Sequence, residues 1–223
     1  MDILIIIVLL IITVGSYIFI EFKYKKYKNQ DIKSLKSGFE VSREIIDKYD
    51  LNNIYITESR DILFSCYDPT RKVIRLVKGV FNDTSITSCA ISAFSAAYAI
   101  EDKKKNKLLK FRTTFSQLAT IILYLGYLFL AIGILFGHIK TILVGIALEY
   151  MVLLFYVFTY KIEKDSRQLA LKELIANKII TKKEVNKIDD VIKAASLTYI
   201  ASLVIPISRL FKLIIEFGKS DKN

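Results

Sequence analysis

YDPTRKVIRLVKGVFNDTSITSCAISAFSAAYAIE, residues Tyr67 to Glu101, is the stretch around which the rest of the chain is organised. Tyr67-Asp68-Pro69 carries a turn signal. Lys72 to Val77 then alternates polar and apolar residues with the two-residue period of a short strand. From about Ser85 to Ile100 the composition becomes alanine-rich, and a helix is predicted. Upstream, Ser37 opens a segment with apolar residues at Phe39, Val41, Ile45, Ile46 and Tyr49, the spacing of an amphipathic helix leaning on a core. Asn52-Asn53 marks a turn, and Ile54 to Thr57 reads as another strand. A small sheet beside the Ser85–Ile100 helix follows from these elements.

Working outward, the remainder of the 223 residues is unusually apolar: 53% of residues are hydrophobic and the mean hydropathy is +0.39. The excess falls in blocks. Ile3–Ile20 and Thr113–Ile139 contain no formal charge, and Thr141–Tyr160 is interrupted only by Glu149. A hydrocarbon core needs roughly 17–25 helical residues. These runs predict a mainly α integral membrane protein, with three to four transmembrane helices and a small cytoplasmic α+β domain. The expected organisation is an anchor over 1–22, a cytoplasmic domain over 23–112, a transmembrane hairpin over 113–160, a cytoplasmic helical segment over 161–193, and a membrane or interfacial helix over 194–217. The first block has no basic leader and runs directly into a lysine-rich tail, so it reads as an uncleaved anchor and not as a secretory signal.

The net charge of +11 is concentrated beside these blocks. Basic residues between Lys23 and Lys36, Lys103 and Arg112, and Lys161 and Lys193 place those segments inside under the positive-inside rule, with the N-terminus outside. A multi-pass protein of the cell membrane is expected, attracted to anionic headgroups, with no nucleic-acid partner. Cys66 and Cys89 then lie where thiols stay reduced, and no C-x-x-C spacing suggests a structural zinc site. His138, the single histidine, reads as an exposed loop residue. Glu149 stands in the middle of an apolar run, where an ionisable group is costly unless paired or protonated, and Tyr124, Tyr127 and Tyr150 are candidate partners. Thr181-x-x-Glu184 has the spacing of a capping box.

The order helix, strand, Tyr-Asp-Pro turn, strand and alanine-rich helix resembles the YugP-like membrane-bound neutral zinc metallopeptidases. In that family the helix carries H-E-x-G-H before Ala-Ile. Aligned through Ala99-Ile100, the five motif positions here are Phe94, Ser95, Ala96, Ala97 and Tyr98. Leu109-Lys110-Phe111-Arg112 is similar to the family's Leu-Lys-Leu-Arg step, and Ala194 to Ala201 to its C-terminal Ala-Ala-Leu-Thr-Tyr-x-Ala segment. Ile162-Glu163 begins a segment similar to its Glu-x-x-x-x-x-x-Ala-Leu pattern, whose glutamate the resemblance implies as a third zinc ligand. Cys66 occupies a place where the family often has a histidine.

A zincin helix sets two imidazoles at i and i+4 toward one zinc ion and uses the intervening glutamate as general base. Phe94 and Tyr98 keep the spacing without the nitrogen ligands, and Ser95 is no base near neutrality. Glu163 is the one ligand position retained, with Arg167 at i+4 or the motif helix as its expected neighbour. The resemblance therefore implies a zincin-like fold with an emptied site: no zinc bound, no catalytic residue, and a role in binding membrane proteins or partnering an active paralogue. Two alternatives stay open. One is a peptidase with atypical ligands, using Glu163, Cys66 or Cys89, or a ligand donated by a second chain. The other is a non-enzymatic scaffold or transport component that depends on Glu149.

Overall fold

A computed structural model of the chain describes residues 2–60 and 65–197. Its elements in order are α1 (Asp2–Tyr27), α2 (Gly38–Asp47), β1 (Tyr55–Ser59), β2 (Cys66–Asp68), β3 (Val73–Val77), α3 (Lys78–Phe81), α4 (Ile86–Lys103), α5 (Lys107–Leu135), α6 (Ile139–Ala176) and α7 (Val185–Ala195). They divide into two compact units. One comprises Ile18–Thr113 and Tyr160–Thr198; the other includes Met1–Tyr17 and Thr114–Thr159.

In the first unit the three strands form one sheet in the order β1-β3-β2. β1 pairs with β3 in parallel, Tyr55 opposite Val73, and β2 pairs with β3 antiparallel, Cys66 opposite Arg75. β3 is therefore central, and its Ile74 and Leu76 are fully buried while both edge strands are more exposed. β2 takes the place of part of the expected turn. Asp68 still closes that turn, its Oδ1 accepting the amides of Thr70 and Arg71 at 3.1 Å each. Three residues are too few for a two-residue period to register in sequence.

α2 begins with a complete capping box: Ser37 Oγ accepts the Glu40 amide, and the Glu40 carboxylate accepts the Ser37 amide at 2.7 Å. Val41, Ile45 and Ile46 turn into the core, whereas Phe39 stays partly exposed and stacks on Phe81 at 5.2 Å. Gly38 is required by close approach. A Cβ there would meet the Val80 carbonyl oxygen at 2.2 Å and two serine hydroxyls on α4 within 2.7 Å. The connector before α2 docks along the entry to α4, with Ile32 N–H bonded to the Thr84 carbonyl and Ile86 N–H to that of Gln30. Thr181 and Glu184 form a reciprocal turn whose amide and hydroxyl bonds are both 2.7 Å, but α7 starts only at Val185. The capping-box spacing thus marks the turn before that helix.

In the second unit α5 and α6 are joined at Gly137-His138. Gly137 takes φ +66°, His138 N–H reaches the Gly133 carbonyl at 2.9 Å, and Gly137 N–H reaches that of Ile134 at 3.4 Å. This is a Schellman closure, in which a left-handed residue satisfies the last carbonyls of the helix. Ala119, Leu123 and Val152 form a small buried cluster.

The expected integral membrane architecture is corrected. Among the described residues no helix is long and apolar enough to cross a membrane, so the three to four transmembrane helices are not found. The uncharged runs are not whole elements. α1 continues past its apolar run through Glu21 and Lys26, with Ile20 buried and Tyr27 part of the core of the first unit. α5 begins in the basic run at Lys107, and α6 continues past Tyr160 through a charged half to Ala176. The described chain is an α+β fold with a three-stranded mixed sheet. Beyond Leu197, the segment expected over 194–217 lies outside the described residues; Ala194 and Ala195 finish α7.

Candidate functional site

α4 passes through the middle of the first unit, and every residue from Ile86 to Glu101 on it is buried. Ser85 caps its start by accepting the Ser88 amide at 3.1 Å. Small residues dominate because neighbours approach on all sides: Ala90, Ala93, Ala96, Ala97 and Ala99 have no exposed surface. The five motif positions lie in this enclosed turn. Ser95 spends its hydroxyl on the Ile91 carbonyl one turn back, at 3.0 Å, and is not presented to a substrate. Phe94 and Tyr98 stack at i, i+4 with ring centroids 5.0 Å apart and planes tilted by 57°.

Glu163 comes to this turn from the charged half of α6. Its Oε2 accepts a hydrogen bond from the Tyr98 hydroxyl, and its Oε1 lies 3.2 Å from an Arg112 guanidinium nitrogen. The same guanidinium stands over the Tyr98 ring, 4.6 Å from its centroid, a cation–π arrangement. Both charged side chains are buried, at 7% and 9% exposure. Burial pushes the Glu163 carboxyl above its ordinary range, against the downward pull of Arg112 and the Tyr98 hydroxyl. Arg167 is not its partner. It turns to Asp189 at 2.7 Å, so of the two expected neighbours Glu163 takes the motif helix.

Arg112 is the site residue that sequence reasoning passed over, because it sits in a run of six basic residues that already had a topological explanation. The usable signal was its place three residues after Leu109, on a helical face that is buried at both positions.

Cys66 is half-buried at the start of β2, near Arg75 and Arg112. Burial raises its thiol above the ordinary value by more than the two guanidinium groups lower it. Cys89 is fully buried and raised further for the same reason. Neither has the lowered pKa of a reactive thiolate. Tyr67 donates to Asp102 at 2.7 Å, and Lys72 joins the same carboxylate; these three line a cleft of about 250 Å³ with Asp50, Asn53 and Lys103. In the second unit Glu149 is buried, and its Oε1 has no hydrogen-bond partner among the described residues. Of its candidate partners, Tyr124 and Tyr150 are exposed. His138 is exposed in the α5–α6 turn.

Residues 2–218 match the family described as "Putative neutral zinc metallopeptidase". The chain belongs to this zinc metallopeptidase family. A relative from Bacillus subtilis (strain 168), described as "Putative membrane protease YugP", is 26% identical over 219 residues, covering 94% of this chain and 95% of its own. No solved structure matches. The donors at the family helix do not fit a zinc ion. A catalytic zinc takes three protein ligands, and here one carboxylate and one phenol face a fixed guanidinium cation. Among the described residues no group of three or more His, Cys, Asp and Glu side chains could hold a metal.

Proposed function

We propose that this family member is a pseudopeptidase: it keeps the metallopeptidase fold, holds no zinc at the family helix, and acts by binding membrane proteins or by partnering an active paralogue. The observation that carries this reading is the engagement of Glu163, the retained ligand position, by Tyr98 and Arg112. A carboxylate already bonded at both oxygens has little left for a metal, and a guanidinium at 3.2 Å repels a dication. Its place of action is a membrane, as the printed name of the Bacillus relative says of that protein.

The test is metal content and proteolysis on the purified full-length chain. Zinc well below one equivalent, and no chelator-sensitive cleavage of an unfolded protein, is the expected result. Stoichiometric zinc together with cleavage that disappears in Glu163→Ala overturns the proposal.

A second reading is supported by Glu149. A buried carboxyl oxygen without a partner is expensive to hold charged, so this group suits proton- or ion-dependent work unrelated to peptidase ancestry. An ion- or proton-dependent cellular phenotype abolished by Glu149→Gln, with Glu163→Ala silent, selects it over the first.

A further inference from the structure

The cleft beside the end of α4 lies wholly in the first unit, and neither Glu163 nor Arg112 lines it. Its lining is braced from several sides. Arg43 donates to the carbonyls of Leu51 and Ile54 at 3.2 and 3.1 Å, which fixes the chain between α2 and β1. Asp102 accepts both the Tyr67 hydroxyl and the Lys72 ammonium. The Lys72 carbonyl accepts the Tyr55 amide at 3.1 Å, tying the entry of β1 to that of β3. Asp50 and Lys72 stand at φ 51° and 53°, a left-handed backbone that surroundings must impose on a lysine and that recurs at ligand clamps.

The lining divides by chemistry. Leu51, Ile54 and Ala99 are buried and supply its apolar part. Its charged part holds two groups of each sign. Asp102 and Lys72 satisfy one another. Asp50 forms no ion pair among the described residues, and the Lys103 ammonium there meets the neutral Tyr49 carbonyl. One carboxylate and one ammonium are thus left uncompensated around a space of about 250 Å³. That volume falls below the roughly 300–1,000 Å³ of sites for drug-sized molecules, so the guest is small. A simple anion would face Asp50 and Asp102, and a simple cation would face Lys72 and Lys103. A dipolar guest finds an opposite charge for each of its own. An aliphatic body then covers the apolar part.

We infer that this cleft binds a free aliphatic α-amino acid, its ammonium toward Asp50, its carboxylate toward Lys103 and its side chain against Leu51, Ile54 and Ala99. The inference is independent of the pseudopeptidase reading, since the cleft shares no residue with the turn from Phe94 to Tyr98.

Isothermal titration calorimetry of the full-length protein tests it, with leucine, 4-methylpentanoate (leucine without its ammonium) and 3-methylbutylamine (leucine without its carboxylate). Leucine is expected to bind, and each single-charge counterpart to bind about tenfold more weakly or worse, the loss of one charged hydrogen bond. Asp50→Asn should abolish the preference for leucine over 4-methylpentanoate and keep that over 3-methylbutylamine. Lys103→Gln should do the reverse, a crossed pattern that misfolding does not produce. No binding of leucine, valine or methionine up to about 10 mM overturns the inference. So do counterparts that bind as well as leucine, and variants that keep both preferences or lose both. Tighter binding of a leucyl dipeptide than of leucine also overturns it, in favour of peptide ends.

Discussion

A carboxylate and a guanidinium withdrawn from water each lose several kcal/mol of solvation, and their mutual attraction repays this only in part. Glu163 and Arg112 are in that position, and the raised pKa of Glu163 has the same origin: burial outweighs its two partners. The sign follows directly. The stability this carboxyl contributes is fully present below its unfolded value and declines as the pH rises through its raised folded value, so the ionised pair is not a net stabiliser. Removing one partner nevertheless strands the other. Arg112→Leu alone and Glu163→Leu alone should each cost about 3–5 kcal/mol, whereas the double replacement should come within about 1 kcal/mol of the parent or exceed it. Urea denaturation of the four proteins as a double-mutant cycle checks this. Additive losses would mean that the pair does not act as a unit.

At the scale of single elements, α2 gives the sharpest contrast between a cap and a contact. Ser37→Ala removes one side of a capping box and should cost about 1 kcal/mol. Gly38→Ala pushes a methyl group into the Val80 carbonyl, which belongs to backbone and cannot rotate away, and should cost roughly 1–3 kcal/mol. The ordering of the two thermal midpoints is the measurement; a Gly38→Ala protein more stable than Ser37→Ala would contradict the packing described here.

These elements also show what the residues reveal before folding. α4 covers the helix read over Ser85 to Ile100, and β3 the strand read over Lys72 to Val77, because composition and alternation are local properties. The length of α6 was hidden, since a charge-based boundary at Tyr160 ignores that helix propensity continues through Lys, Glu and Arg. Within the site, the replacement of motif imidazoles by Phe94 and Tyr98 is written in the chain. That Arg112 would cover the Tyr98 ring depends on α4, α5 and α6 meeting, which no spacing along one helix contains.

Across the first unit, distant segments are fastened by acids on or beside α7. Asp190 takes Lys23 at 2.8 Å across 167 positions of sequence, and Glu184 accepts the Lys33 amide at 2.8 Å. Lys23 holds the Asp190 carboxyl below its ordinary range. For Glu184 burial acts upward, but the Thr181 and Lys33 hydrogen bonds together bring it below the ordinary value. Groups lowered in the folded state contribute stability that is present above their unfolded pKa and is lost as the pH falls through the folded one. Denaturation midpoints should therefore drop on acidification through and below the ordinary carboxylate range, about pH 4. Asp190→Asn combined with Glu184→Gln should start lower at neutral pH and fall less. An acid dependence as steep in the double variant as in the parent would place the pH sensitivity elsewhere.

The strand order β1-β3-β2 has a consequence for how the sheet assembles. β2 and β3 meet across the short Asp68-Pro69 turn, so that ribbon closes at small entropic expense. β1 precedes both yet lies parallel to β3 on its far side, and its amides find partners only after the chain has made a crossover. The N-terminal strand is thus the late arrival, and until it docks one margin of β3 stands open to pairing with other chains.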